Sequence, residues 1–468
     1  MRGSVLGISL LVAAGGLVRL AAARGDLWLD EIWSLMLASQ AHTALDVFTA
    51  LHLDNNHYLV TLWMFLFGVD QAGFWYRVPS LAAGIASVGL AAAAASRFGR
   101  TSGQFAAVLT AFSLPLVVYA SEARGYSLAV CFALAAFLIL DRVLDKGRLI
   151  DALLFGAVAV LGLLSHLTFV HVLVAGLVWT AVRFATRRDA RPRIAVVAAA
   201  WVPPILALAA LWAVDLSKLR IGGGERVSLL VIVKRTGSLL LGGPDSAAAG
   251  AVLLPVAGLG VAAGLYRLRR LGGDAWVFPA VAVASSILAL TLPQVAVRHP
   301  RYLLVAVPFA FLALALVFDA LWHHGQAGKV IAALCLAGVL SGDAVRLAAF
   351  LRDGRGHYAD AVRFMAAGAR RTPVLVGSDH DFRNGLVVEY FARHLPLPRP
   401  VDYMSGQGHW PAGPPDWFIT HSRLPSPVHS GTFTDWYGNR YVFQRDFPYA
   451  SLSGFSWSLF RREGPESP

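Results

Sequence analysis

The feature that most constrains the fold is a series of eleven apolar stretches separated by short charged segments. A helix needs about 20 residues to cross the ~30 Å hydrocarbon core of a bilayer. Of the 468 residues, 57% are hydrophobic and 15% are charged, against roughly 45–50% and about 25% in soluble proteins. We therefore predict a polytopic α-helical membrane protein with about eleven transmembrane helices and exclude a single-domain soluble enzyme. The stretches are Val5–Ala22, Val78–Ser96, Gln104–Tyr119, Tyr126–Leu140, Leu149–Ser165, His166–Val182, Ile194–Val214, Ala247–Tyr266, Ala275–Leu292, Tyr302–Phe318 and Val330–Val345.

The charged residues alternate between the connecting segments as the positive-inside rule describes. With a cytoplasmic amino terminus, the inner segments carry 15 Lys/Arg and six Asp/Glu, whereas the outer segments carry 10 of each. Cytoplasmic loops retain Lys and Arg, so the net charge of +12 reflects orientation and predicts the bilayer, not a nucleic acid, as partner. An odd number of spans then places the carboxy terminus on the extracytoplasmic side.

The first stretch has two interpretations. Arg2, a short apolar core and the run Ala21–Ala23 have the layout of a secretory signal. An uncleaved anchor is favoured, because cleavage would remove the span that sets the phase of the charge alternation.

The composition changes near residue 346. We predict a transmembrane domain over residues 1–346 and a small extracytoplasmic α/β domain over residues 347–468, which has no apolar run of membrane length. Alternation of strands and helices is typical of such domains. The patterns predict helices at Tyr358–Ala369 and Gly385–Leu395, strands at Pro373–Gly377 and Trp417–Thr420, and a loop over Pro396–Pro415.

The first external loop, residues 24–76, is long and carries an acidic pair among tryptophans. Asp30 and Glu31 lie between Trp28 and Trp33, residues that suit the membrane interface. Partial desolvation there favours a carboxylate with a raised pKa, as a general base requires. An ordinary solvated juxtamembrane pair is the alternative.

His57 follows in the same loop, before an apolar segment, Leu59–Val69, that is too short to span and predicts an interfacial helix. A histidine at this position could bind substrate or a metal, although one histidine near acids is weak evidence for a metal site. A structural histidine with satisfied hydrogen bonds is the other interpretation.

Two further external turns carry arginine at the mouths of predicted spans. Arg124 lies in the turn Ser121–Tyr126, and Arg298 and Arg301 lie in the turn Val297–Tyr302. Arginine can bind phosphate oxygens in bidentate fashion. The alternatives are snorkelling towards headgroups and, for Arg124, a surface pair with the neighbouring glutamate.

These acidic, histidine and arginine motifs all fall on one membrane face under a topology derived only from loop charge. Charged pairs with independent structural roles would be expected on both faces of the membrane. The set suits a lipid-phosphate substrate, with a carboxylate base and a cationic clamp for the leaving phosphate.

Six motifs occur in a recognisable order: Asp30-Glu31, Asn56-His57-Tyr58-Leu59 before the interfacial helix, Arg77-Val78-Pro79-Ser80, Glu122-Ala123-Arg124-Gly125-Tyr126, Ser165-His166, and Arg301-Tyr302 with Pro308. Together they resemble the lipid-linked sugar transferases of the C superfamily, in particular the clan of the protein O-mannosyltransferases and the bacterial aminoarabinose transferases. The similarity covers about Met1 to Phe318. That family commonly has His-Pro-Pro where this chain has His57-Tyr58-Leu59.

The resemblance implies an inverting glycosyltransferase that moves a sugar from a polyprenyl-phosphate carrier to a hydroxyl of a glycan, lipid or protein, on the extracytoplasmic face of a bacterial inner membrane. It implies that Asp30 is the base, that Glu31 and His57 organise sugar or acceptor, and that Arg124 and Arg301 hold the donor phosphate. The remaining substrate-binding candidates are Arg77, Tyr126, His166, Arg298 and Tyr302.

Two other functions fit a polytopic chain. A lipid or solute transporter would place polar residues and broken helices at the membrane midplane, whereas the strongest charges here lie at the predicted interfaces. A non-catalytic envelope scaffold would tolerate replacement of Asp30. No cofactor is predicted with certainty, and a divalent metal is possible.

Overall fold

A computed structural model of the protein describes residues 2–186, 193–222, 226–292, 297–369, 371–406, 410, 413–423 and 431–463. The chain divides into two compact units. One, here the membrane unit, comprises Met1–Ala23 and Leu37–Val345; the other, here the carboxy-terminal unit, comprises Arg24–Met36 and Arg346–Pro468. The segment with the acidic pair therefore groups with the carboxy-terminal residues, although the sequence analysis placed it in the loop of the transmembrane domain.

The first sixteen helices contain the apolar stretches. They are α1 Arg2–Ala22, α2 Leu29–Gln40, α3 Asp46–Thr49, α4 Tyr58–Phe67, α5 Gly73–Ser96, α6 Arg100–Phe112, α7 Leu114–Ala120, α8 Tyr126–Lys146, α9 Leu149–Ser165, α10 Val170–Thr186, α11 Ile194–Val214, α12 Leu229–Leu240, α13 Ala247–Gly272, α14 Val277–Ala289, α15 Val307–Trp322 and α16 Gly325–Asp353. Short 3₁₀ turns cover Leu167–Phe169, Leu216–Lys218 and Pro300–Ala306.

The polytopic helical fold is confirmed, and each predicted stretch lies on helical chain. Within the described residues, seven helices are long and apolar enough to cross a membrane, or eight if the bent pair α6–α7 is one span. Three further stretches form shorter apolar helices, Leu6–Ala22, Leu149–Ser165 and Val277–Ala289. The structure therefore supports the architecture without confirming a count of eleven spans. The predicted interfacial helix is α4.

The stretch predicted as one span, Gln104–Tyr119, is bent by 58° between α6 and α7. A break exposes backbone groups that an apolar environment cannot satisfy. The buried Arg19 of α1 donates to the carbonyls of Thr110 and Ala111 at 2.9 and 2.8 Å. The Leu114 amide at the start of α7 donates to a carboxylate oxygen of Asp343 at 3.1 Å. Two buried charged side chains thus complete the hydrogen bonding of the broken helix.

Ion pairs join helix ends that carry residues of the predicted inner segments. Arg183 of α10 bonds Asp145 and donates to Asp274 beside α14 at 2.8 Å. Arg267 of α13 donates to Asp319 of α15 at 3.2 Å. These acids therefore hold together helices that are distant in sequence.

The carboxy-terminal unit contains an α/β domain, as predicted. Its helices are α17 Tyr358–Gly368 and α18 Leu386–His394, and a π-helical turn covers Asp381–Gly385. Its strands are β1 Val374–Ser378, β2 Val401–Tyr403, β3 Trp417–Ser422, β4 Thr432–Thr434, β5 Arg440–Phe447 and β6 Ser456–Arg462. In the described part of the chain they form one sheet with the order β2-β1-β3-β6-β5-β4, in which β1 pairs with β2 and β3 in parallel and the other pairs are antiparallel.

The predicted helices and strands of this domain are confirmed to within a few residues, and the predicted loop over Pro396–Pro415 is wrong in part because it contains β2. Strands β4, β5 and β6 were not predicted. The core of the sheet packs large aromatic residues, including the fully buried Trp417 and Trp457.

Close helix packing in the membrane unit gives a test of the fold. A Cβ at Gly264 of α13 would lie 2.1 Å from the Ala313 backbone oxygen of α15, whereas a Cβ at Gly338 of α16 would meet nothing within 4 Å. We expect Gly264→Ala to lower the stability of the detergent-solubilised protein by about 1–3 kcal/mol through overpacking, measured by thermal unfolding. Gly338→Ala is the control and should leave the melting temperature unchanged or raise it, since alanine favours a helix over glycine; equal melting temperatures for the two variants would contradict the packing.

Candidate functional site

The turn between α7 and α8 forms the frame of a site in the membrane unit. The Gly125 amide donates to Nδ1 of His57 at 2.7 Å. A Cβ at Gly125 would lie 1.7 Å from the Ser165 carbonyl oxygen, so only glycine lets the turn approach the end of α9 this closely. The Ser80 hydroxyl of α5 donates to the Arg124 carbonyl at 2.8 Å. Three segments distant in sequence are thereby fixed around one turn.

Tyr126, the first residue of α8, lies at the centre of this site. Its ring centre is 4.2 Å from that of His166 and 5.3 Å from that of His57, and the two imidazole rings are 4.7 Å apart. His57 and Tyr126 are buried. Three aromatic rings, from the first loop, α8 and the end of α9, therefore pack against one another.

Two arginines lie beside the same tyrosine. The guanidinium carbons of Arg124 and Arg301 are each 5.9 Å from the Tyr126 ring centre, a distance typical of cation–π contacts. Arg124 also bonds the side-chain oxygen of Asn55. Arg301 lies in the 3₁₀ turn Pro300–Ala306, where its amide donates to Nδ1 of the capping residue His299 at 3.2 Å. Two positive charges from opposite halves of the membrane unit thus converge.

The histidines of this site stay neutral. Burial, together with the charge of Arg124, holds the pKa of His57 well below its usual range. Burial and the charges of Arg124 and Arg301 lower the pKa of His166 to about 3. The Nδ1 atom of His166 accepts from the Thr168 amide at 3.1 Å, and Nδ1 of His57 accepts from Gly125, so in each neutral ring the proton is on Nε2. Each imidazole can therefore donate one hydrogen bond without adding charge.

An apolar groove of about 250 Å³ is lined in part by residues of the 3₁₀ turn that carries Arg301. Leu303, Ala306 and Val307, which follow that arginine along the chain, line it together with residues of α12, α13 and α14. Of the described residues that line it, all but Thr236 are apolar. Such a groove suits a hydrocarbon chain and offers a polar headgroup almost no hydrogen bonds.

Of the other predicted site residues of the membrane unit, Tyr302 lies beside Arg301, whose guanidinium carbon is 5.8 Å from the Tyr302 ring centre, whereas Arg77 and Arg298 bond backbone carbonyls. The buried Arg77 donates to the Ala23 carbonyl at the end of α1 at 2.8 Å. Arg298 donates to the carbonyls of Leu290 and Val227 at 2.7 and 3.3 Å. Tyr302 packs against the apolar cluster around Leu303. In these contacts the two arginines hold backbone segments in place.

Asp30 and Glu31 begin helix α2 in the carboxy-terminal unit. Both lie in its first turn, where the helix dipole stabilises negative charge. Glu31 is fully buried, and its carboxylate accepts from the Trp28 amide at 3.3 Å. Asp30 is 8% exposed. The Trp33 ring contacts Phe382 of the α/β domain, with ring centres 5.2 Å apart in an edge-to-face arrangement.

Sequence reasoning missed a second polar group of the membrane unit. Asp215 at the end of α11 is buried, lies 2.5 Å from Nδ1 of His52 and accepts from the hydroxyl of Tyr58. Tyr58 thus has a specific partner where the family commonly has proline. Asn55, two residues before His57, was also missed, because nothing in the sequence pairs it with Arg124.

Among the described residues, no three His, Cys, Asp or Glu side chains come together in a group that could hold a metal ion.

Comparison with known proteins agrees with this arrangement. Residues 56–212 match the family model described as dolichyl-phosphate-mannose-protein mannosyltransferase. No curated protein matches the chain in sequence. The crystal structure of ArnT from Cupriavidus metallidurans in the apo state is similar, with a TM-score of 0.53 at 12% identity over 86% of both chains. The structure of ArnT from the same organism bound to undecaprenyl phosphate has a TM-score of 0.53 at 13% identity over 99% of both chains.

At these identities the structures establish the fold, and the family model adds a sequence match over the segment that contains His57, Arg124, Tyr126 and His166. The chain therefore shares the fold of these ArnT structures.

Proposed function

We propose that the protein is an inverting glycosyltransferase that transfers a sugar from a polyprenyl-phosphate carrier to an acceptor hydroxyl. The observation that carries the proposal is the convergence of Arg124 and Arg301 on the Tyr126 ring, beside imidazoles that remain neutral. This arrangement supplies positive charge and directional donors to a small anion.

A phosphodiester is the anion that fits best. Guanidinium groups match the geometry of phosphate oxygens, and hydrogen bonds to charged groups contribute about 1.5–3 kcal/mol each. The amino-terminal end of α8, which begins at Tyr126, adds the favourable end of a helix dipole. The Nε2–H groups of His57 and His166 are further donors for sugar or phosphate oxygens.

The apolar groove supports a prenyl chain as the other part of the donor. It adjoins the 3₁₀ turn that carries Arg301, so a phosphate held by this arginine could continue into a hydrocarbon tail. ArnT of similar fold binds undecaprenyl phosphate. A transporter or scaffold, the alternative, gains nothing from a phosphate clamp combined with a glycosyltransferase fold.

In the proposed reaction Asp30 accepts the proton of the acceptor hydroxyl. The hydroxyl oxygen attacks the anomeric carbon from the side opposite the phosphate, the carbon–oxygen bond to phosphate breaks, and polyprenyl phosphate leaves with the electron pair. A single displacement inverts the anomeric configuration. Arg124 and Arg301 stabilise the charge that develops on the leaving phosphate.

We further propose that the chain lies in a bacterial inner membrane with its amino terminus in the cytoplasm and its α/β domain outside. The charge alternation of the loops supports this orientation. The acceptor is then a hydroxyl of a glycan, lipid or protein on the extracytoplasmic face.

Replacement of the proposed base is the first test. Asp30→Asn should lower the turnover of a panel of synthetic undecaprenyl-phosphate sugars by at least about 100-fold, the usual contribution of a general base, with little change in donor KM. Asp360→Asn is the control, because Asp360 is an exposed carboxylate of the same unit. Release of polyprenyl phosphate in purified protein is the measurement, and wild-type release by Asp30→Asn at normal abundance would exclude Asp30 as the base.

The phosphate clamp makes a separate prediction. Arg301→Gln and Arg124→Gln should each lower kcat/KM for the donor by about 100- to 1,000-fold, the effect of removing one oxyanion donor. Arg301→Lys should retain part of the activity, because lysine keeps the positive charge but cannot bind phosphate in the bidentate geometry of a guanidinium group. The exposed Arg352→Gln serves as control; full donor affinity in both clamp variants would show that the phosphate binds elsewhere.

The pH dependence of donor binding provides a third test. Since the pKa of His166 lies near 3 and that of His57 is well below its usual range, both rings are deprotonated above pH 6. A phosphodiester does not titrate in this range either. Donor KM should therefore be constant from pH 6 to pH 8, measured by polyprenyl phosphate release. A KM that falls below pH 6.5 in wild type and not in His166→Gln would show that the imidazole is protonated.

A further inference from the structure

A second polar cluster lies at the carboxyl ends of the parallel strands in the carboxy-terminal unit. Ser378 ends β1, Tyr403 ends β2 and His421 lies near the end of β3. In α/β sheets the crevice outside the carboxyl ends of parallel strands is the usual place for a ligand. Neither the phosphate clamp nor the proposed base uses these residues.

Asp379 fixes the centre of this cluster. Its carboxylate accepts from the His421 ring at 2.8 Å, from the His421 amide at 3.0 Å and from the Asn384 side chain at 2.9 Å. Arg383 lies 2.9 Å from the other ring nitrogen of His421. The carboxylate and guanidinium thus hold this imidazole in one orientation.

Asp381 fixes the neighbouring loop. It accepts from the hydroxyls of Tyr403 and Ser405 at 2.8 and 2.6 Å and from the Gly406 amide at 3.2 Å. The Ser378 hydroxyl lies 2.6 Å from that of Tyr403. Hydrogen bonds at both aspartates therefore fix the turn Asp379–Asn384, which carries His380 and Phe382.

That turn presents an imidazole and an aromatic ring to solvent. His380 is exposed, and 47% of Phe382 is exposed although it is a large apolar residue. The Phe382 ring is held edge-to-face against Trp33. An exposed aromatic face beside fixed polar groups is typical of a binding surface and not of a core.

This surface adjoins the helix of the proposed base within the same unit. Trp33 follows Asp30 by three residues on α2, and residues three apart lie on the same face of a helix. The Trp33–Phe382 contact therefore links the face of α2 that bears Asp30 to the turn that bears His380.

We propose that Trp33, Phe382 and His380 form an acceptor subsite that binds a saccharide ring. The inference rests on the proposed function, since it supplies the base at Asp30 with its nucleophile. A sugar ring has apolar C–H faces that pack on aromatic rings and hydroxyls at its edges that bond imidazole and backbone groups. An extended peptide would need a row of free strand-edge groups, and a lipid chain would need a continuous apolar surface; the turn Asp379–Asn384 offers neither.

The test measures binding without requiring turnover. Full-length protein in phospholipid nanodiscs, which avoid sugar-headed detergents, is probed by saturation-transfer NMR with methyl glycosides of common hexoses and pentoses. We expect transfer to at least one glycoside in wild type, a loss of at least about 5-fold in Phe382→Ala and His380→Ala, and recovery in Phe382→Trp. His394→Ala is the matched control, because His394 is also exposed and lies at the far end of α18.

Phe382 packs on Trp33 and the His380 ring accepts from the Arg383 amide at 3.4 Å, so the unfolding temperature of each variant is measured in parallel, and binding is compared only at temperatures where the variants are folded. Tighter binding of octyl than methyl glycosides would indicate a glycolipid acceptor, and equal binding a soluble glycan; both support the subsite. Binding that is unchanged in Phe382→Ala and His380→Ala, binding of no glycoside, or binding of serine- and threonine-containing peptides alone would overturn it. Because the readout is binding, a failed subsite is distinguishable from failed transfer activity, which polyprenyl phosphate release reports.

Discussion

The hydrogen bond from the Gly125 amide to His57 is the contact on which the site of the membrane unit depends. It joins the first loop to the α7–α8 turn, and that turn carries both Arg124 and Tyr126. The position requires glycine, because a side chain would overlap the Ser165 carbonyl. The same bond occupies Nδ1 of His57 and so sets which nitrogen can donate to a ligand. One short contact therefore determines the position of a cation, an aromatic ring and a proton.

Burial determines which groups of this site carry charge. In a poorly solvated pocket the imidazoles lose their protons, because the neighbouring guanidiniums and the loss of water both oppose a further positive charge. Positive charge is thereby confined to the arginines, which remain ionised. The apolar groove lined by Leu303 and Val307 suits a hydrocarbon chain and offers polar groups almost no hydrogen bonds. The arginines suit a phosphate and the groove suits a hydrocarbon chain, which are the two parts of a lipid phosphate.

The architecture could be predicted from the sequence because the spacing of apolar residues and the charges of the loops are both carried by residues that are neighbours in the chain. The strands β1 and β3 were found for the same reason. The bend between α6 and α7 was missed although Pro115 lies in the first turn of α7, since a proline within a helical pattern ends or kinks the preceding helix. The contacts that Arg19 and Asp343 make at the break could not be predicted, because these residues lie far away in sequence. Strand β5 was missed because its exposed positions carry polar residues such as Arg440 and Arg445, which interrupt the apolar pattern. Strand β6 was missed because two buried serines, Ser456 and Ser458, interrupt its apolar residues.

The candidate site, like the fold, could be predicted only in part. Motifs identified His57, Arg124, Tyr126, His166 and Arg301, which the structure brings together. Arg298 and Arg77 matched motifs equally well, yet their described contacts are to backbone carbonyls. A sequence motif gives the type of a residue and not the direction in which its side chain points. The grouping of Asp30 with the α/β domain depends on contacts with residues more than 300 positions later, such as that of Trp33 with Phe382.

The central claim is that Arg124 and Arg301 hold the phosphate of a polyprenyl donor. A cryo-electron microscopy structure of the full-length protein in nanodiscs with undecaprenyl phosphate tests it most directly. The account predicts phosphate density within hydrogen-bonding distance of both guanidinium groups, with the prenyl chain in the groove lined by Leu303 and Val307. Lipid density whose phosphate lies away from both arginines, with its chain outside this groove, would contradict it.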